Sequence, residues 1–103
     1  MNPDTPIITG GLSEARPVTP EIQEVADKVR AQIEEETNEK YDKFKAVEYK
    51  SQTVAGQNLF IKVDVGRGCF LHIKVFRGFS GKEDLELLGY ETNKTKNDEL
   101  TSF

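Results

Sequence analysis

The sequence predicts an α+β fold, with one amphipathic helix packed on a four- to five-stranded antiparallel sheet. Three observations predict it. An apolar stripe at helical spacing runs through residues 19–37. From Tyr41 onward apolar residues instead alternate with polar ones, the period of a half-buried strand. The segments between the alternating runs are short and carry glycine, which implies hairpins rather than crossovers. A chain of 103 residues suits one domain, 1–103.

All four prolines, Pro3, Pro6, Pro17 and Pro20, fall in the first 20 residues. With Gly10 and Gly11 they predict an extended, mobile arm over residues 1–18. Within it, Ile7-Ile8-Thr9-Gly10-Gly11-Leu12 leaves two readings open: a disordered tail, or an apolar segment kept for contact. Thr19 is a good N-cap, Pro20 suits the first helical position, and Glu21 complements the positive end. Ile22, Val25, Ala26, Val29 and Ile33 form the stripe. Glu34-Glu35-Glu36 opposes the negative end, so the helix should stop near Asn38, with the charge run solvated.

The strand pattern follows. Val47 and Tyr49 alternate with Glu48 and Lys50. Leu59, Ile61, Val63 and Val65 alternate with Lys62 and Asp64; Leu71, Ile73 and Val75 do so with His72 and Lys74. A last strand covers Leu85 to Thr92, where Leu87-Leu88 breaks the period and predicts a bulge. The helix stripe should cover the apolar sheet face, leaving the lysines and His72 on a polar one.

Composition narrows the function classes. Lys+Arg 14 against Asp+Glu 18 gives a net charge of −4, with a pI near 5.0, against a nucleic-acid partner. A mean hydropathy of −0.58 and no apolar run of membrane length predict no membrane association, and Met1 to Gly10 does not read as a secretory leader. One cysteine, Cys69, fits a reducing cytoplasm.

A chemical site is hard to build from these residues. Cys69 and His72 are the only nucleophile–base pair, yet three strand positions apart they point to opposite faces. Cys69 shares the apolar face and reads as a small strand-end residue; His72 shares the polar face and reads as a surface histidine. One cysteine and one histidine make no zinc site, and Gly66-Arg67-Gly68 joins two strands instead of cradling a phosphate. The expectation is therefore no catalytic residue, no metal and no cofactor. The first hairpin is harder to read as scaffold. Gln52-Thr53-Val54-Ala55-Gly56 puts stiff, apolar Val54 at a tight turn, either as a plain strand end or as a tip that is strained or put to use.

Those five residues match the Q-x-V-x-G motif of the cystatins, inhibitors of papain-like cysteine proteases. Asn58-Leu59-Phe60-Ile61-Lys62-Val63, Thr19-Pro20-Glu21-Ile22-Gln23-Glu24 and Asp98-Glu99-Leu100-Thr101 resemble the stefins, the single-domain intracellular branch. The resemblance runs from Gly10 to Phe103. It implies a cystatin-like wedge with three protease-binding segments. Ile8, Thr9, Gly10 and Gly11 would take the non-primed subsites. Gln52, Thr53, Val54, Ala55 and Gly56 would enter the cleft beside the catalytic cysteine. Gly78, Phe79, Ser80 and Gly81 would lie on the primed side, with Phe79-Ser80 where stefins usually carry Leu-Pro. It further implies a cytoplasmic, reversible, tight-binding competitive inhibitor of cathepsins L, S, H and B. It also implies a monomer able to form domain-swapped dimers. The alternative is a cystatin-fold protein with a non-inhibitory structural or interaction role.

Overall fold

Thr19 opens helix α1, Pro20–Thr37, by extending its backbone (φ −102, ψ 165) and accepting the Ile22 amide on Oγ1 at 3.3 Å. The whole predicted stripe is buried. The helix stops where Asn38 turns left-handed (φ 58) and the Glu39 amide bonds back to the Glu34 carbonyl at 3.1 Å. One residue of the acidic run departs from the solvated reading. The Glu34 carboxylate accepts the Tyr41 amide at 2.8 Å and Arg30 Nε at 3.3 Å. The amide above all holds this carboxyl below its ordinary value, and Arg30 adds to the effect. Arg30 also donates to the Tyr41 carbonyl and lies 5.4 Å from the Phe44 ring centroid, so the helix end is tied to the chain that leads into the sheet.

The computed structural model describes residues 12–78 and 84–103. After the helix come β2 (Lys45–Val54), β3 (Gly56–Gly66), β4 (Cys69–Arg77) and β5 (Leu85–Lys94). A short β1, Arg16–Pro17, precedes the helix and pairs with Tyr49 and Glu48 of β2. The sheet is antiparallel throughout, in the order β1-β2-β3-β4-β5. The predicted α+β class holds, and the fifth strand comes from residues expected to be a mobile arm. Proline is tolerated there because β1 is an edge.

Local chemistry sets the connections. β3 and β4 join through Arg67 and Gly68, both at positive φ (60 and 75), the two-residue turn that matches strand twist. Between β4 and β5, Lys74 faces Gly89 and Val75 faces Leu87, which leaves Leu88 as the bulge that its broken alternation predicts.

Leu59, Ile61, Val63, Leu71, Ile73 and Val75 pack beneath α1 with Phe44 and Ala46. The opposite face differs from the sequence expectation. His72 and Lys62 are buried, at 1% and 5% exposure, with Phe60, Phe70 and Leu100. Residues 95–103 run over this face, and lysines on three adjacent strands donate to their carbonyls. Lys50 bonds Leu100 at 2.8 Å, Lys62 bonds Lys96 at 3.0 Å, and Lys74 bonds Phe103 at 2.7 Å. The Phe103 ring meets Phe60 edge-on at 5.6 Å. His72 is thus no surface histidine. Cys69 is the reverse case: a strand-end residue, but exposed, because the core cluster ends at Leu71. Among the described residues no helix is long and apolar enough to cross a membrane.

Candidate functional site

The β2–β3 hairpin turns back on a single residue. Val54 pairs with Gly56, leaving Ala55 as the tip. Thr53, Val54 and Ala55 are exposed, and Val54 is among the few large apolar side chains in the open. Its backbone is an ordinary strand end; the unusual conformation belongs to Gly56, at φ 119. The strained-tip reading of Val54 therefore gives way to the strand-end one. Gly56 is needed for a second reason. A Cβ there would lie 2.7 Å from the Phe76 ring and 2.8 Å from the Arg77 carbonyl, so only glycine lets the tip sit down on β4.

Polar side chains hold the base of the hairpin. Gln52 Oε1 accepts from Asn58 Nδ2 at 2.8 Å, across the Gln52–Asn58 pair. Gln57 Oε1 accepts from Arg77 Nη2 at 2.6 Å. From Gln52 to Asn58 there is no ionisable side chain, so burying this edge desolvates no charge.

The other predicted segments start from the same end of the sheet. The Ser13 amide donates to the Ser51 carbonyl at 2.8 Å, and the Ser51 amide donates to Ser13 Oγ at 3.0 Å. The arm is thus pinned to β2 one residue before Gln52. Ile8, Thr9, Gly10 and Gly11 lie outside the described residues. Gly78, which follows β4, lines a shallow depression with Thr53, Gly56, Gln57 and Arg77. Its amide donates to the Asp84 carbonyl at 2.9 Å and closes the second hairpin. Phe79, Ser80 and Gly81 lie outside the described residues. The structure therefore brings together the arm's anchor, Gln52–Gly56 and Gly78.

Ser13, Phe76 and Arg77 are supporting residues that the sequence reading missed. Each acts across strands, and no local pattern signals such a contact. Cys69 and His72 supply no competing centre: the Cys69 thiol is 3.9 Å from the Arg67 carbonyl, and His72 is covered by residues 95–103. Among the described residues no three His, Cys, Asp or Glu cluster closely enough to hold a metal.

Comparison with known proteins gives the family. A cystatin domain model matches residues 10–97. Stefin-3 of Mus musculus is 77% identical over 96 residues, 93% of each chain. Cystatin-A of Rattus norvegicus is 73% identical over 103 residues, the full length of both. Leukocyte cysteine proteinase inhibitor 1 of Sus scrofa is 55% identical over 98 residues, 94% of this chain and 95% of that protein. A match to the family model along most of the chain, and relatives this similar over its length, mean that the chain belongs to the cystatin family, in its stefin branch.

Proposed function

We propose that the chain is a reversible, tight-binding competitive inhibitor of papain-like cysteine proteases such as cathepsins L, S, H and B, acting in the cytoplasm. Members of this family are inhibitors and not enzymes. The carrying observation is the exposed, charge-free tip at Val54 and Ala55, flanked by the Ser13–Ser51 anchor and by Gly78. A relative whose name states cysteine proteinase inhibition matches along nearly all of the chain.

The physical logic is that of a plug. Gln52 to Gly56 would enter the cleft, with Ile8 to Gly11 on one side and Gly78 to Gly81 on the other. A substrate runs extended past the catalytic thiol. This hairpin reverses at one residue with its strands already paired, unlike an extended substrate, and would place no scissile carbonyl in attack geometry. A paired hairpin loses little entropy on docking, and an interface of about 1,600 Å² in total supports nanomolar or tighter binding.

Titrating papain with the protein tests this reading. The wild type should inhibit competitively, and Val54→Asp should weaken binding by about 100-fold or more, since it buries an unpaired carboxylate. A thermal melt of the variant checks that it stays folded. No inhibition at micromolar wild-type protein would overturn the reading and favour a non-inhibitory interaction role. The resting state is taken as a monomer. Because only Ala55 separates β2 from β3, straightening the hairpin would join them into one strand and exchange them between two copies. Size-exclusion chromatography after heating and cooling should show dimer; monomer alone would refute the exchange.

A further inference from the structure

We propose that Arg77 is a positioning residue for the Val54 tip: its guanidinium locks Gln57, fixing the first hairpin against the strand that leads into the second. This rests on the inhibitory reading above and adds a residue outside the three contact segments.

The tip lies outside the helix-side core and depends on contacts within the sheet. The core cluster beneath α1 reaches Leu59 on β3 and Val75 on β4 but takes in none of residues 52–57. The β3–β4 ladder ends at the Gln57–Arg77 pair, so Val54 to Gly56 project past it as a two-stranded tip, which is marginal in water on its own. Besides that pairing, two contacts to β4 seat the tip. One is the close approach of Gly56 to the Phe76 ring and the Arg77 carbonyl. The other is the Arg77 side chain. Nη2 donates to Gln57 Oε1 at 2.6 Å, a short charge-assisted bond, and Nη1 lies 3.4 Å from Glu21 Oε1 in the first turn of α1.

Gln57 sits opposite Thr53 on one side and Arg77 on the other. Holding Gln57 therefore holds the strand that carries Thr53 and Val54. Arg77 also directly precedes Gly78, so the same side chain sets the spacing between the two hairpins. The planar fork engages Gln57 and Glu21 together, which a single ammonium cannot do in the same geometry. Glu21 is largely exposed and contributes little on its own; it orients the fork. A pre-ordered tip gives up less freedom on docking, so losing the brace should appear as weaker binding with little loss of global stability.

The experiment is a double-mutant cycle of Arg77→Ala, Gln57→Ala and the pair, read by papain binding, thermal melts and hydrogen exchange of the hairpin amides. Each single change should weaken binding by about five- to tenfold, the net scale of one lost hydrogen bond, and the pair no more than the worse single change. Arg77→Lys should recover part of the loss. Amides between Gln52 and Asn58 should exchange faster in Arg77→Ala while the melting temperature barely moves. If Arg77→Ala weakens binding equally in the Gln57→Ala background, the arginine touches the protease directly and the brace is wrong. Unchanged exchange in the hairpin refutes the brace whether or not the wild type inhibits. Failure of the wild type to inhibit refutes only the inhibitory reading.

Discussion

Toward α1 the sheet is dry and aliphatic, and Leu59, Ile61, Val63, Ile73 and Val75 have no exposed surface. Away from it, the same strands set Phe60 and Phe70 among Lys50, Lys62, His72 and Lys74, and a segment without regular secondary structure lies across them. The helix satisfies its own backbone and brings only side chains to the sheet. Residues 95–103 have no such ladder, and their carbonyls need donors when they are covered. Three lysine ammonium groups supply them. A polar alternation therefore marks a strand face that can be buried, provided that what buries it offers acceptors.

The largest test of this contrast truncates one fully buried side chain on each side. Ile73→Ala should lower the unfolding free energy by about 4 kcal/mol, because the helix and sheet cannot collapse into the space. Leu100→Ala should cost about 2 kcal/mol, since a short segment held by hydrogen bonds can shift or lift locally. Urea denaturation of both variants measures the gap. Equal losses would mean that residues 95–103 belong to one cooperative core with the helix face.

What was legible in the sequence is what is decided within a few residues. Thr19 caps, Asn38 stops, Arg67-Gly68 turns and Leu88 bulges through local chemistry that any window of the sequence displays. The first hairpin was legible for the same reason, through Gly56 between two alternating runs, although Val54 proved to be a strand end and not a turn residue. Residues 95–103 were not legible. They have no period, and Leu100 and Phe103 are their only large apolar side chains. Nothing nearby says that Lys96, Leu100 and Phe103 will meet lysines 29 to 50 residues away. His72 was misread in consequence, since its strand neighbours imply water and only its cover makes it buried. The contacts around the candidate site escaped in the same way: Ser13 reaches Ser51, and Arg77 reaches Gln57, across strand registers that spacing alone does not reveal.

The finest test uses pH, because only the outer face buries a group that titrates in the physiological range. His72 Nε2 has no hydrogen-bond partner among the described residues. Burial lowers the pKa of His72 below its ordinary 6.5, and Lys62 and Lys94 lower it further against the opposing pull of Glu91 and Asp98. Lys62 approaches from β3, Lys94 and Glu91 from β5, and Asp98 from the covering segment. The folded state thus binds this proton less readily than the unfolded chain. The resulting stability is complete above 6.5 and is lost as pH falls through the lower folded value. Glu34, Asp64 and Asp98 are also held below their ordinary values, but their losses set in from about pH 5 downward and so fall at and below the acid edge of this window. Between about pH 8 and about pH 5 the wild type should lose melting temperature, and His72→Gln should stay nearly flat. The loss should be local first, with amides of residues 95–103 exchanging faster on acidification while those of Ile61 and Ile73 do not. If wild type and variant fall in parallel, His72 is not the group that senses the acid. If the helix-side amides open together with the segment, the two faces respond as one.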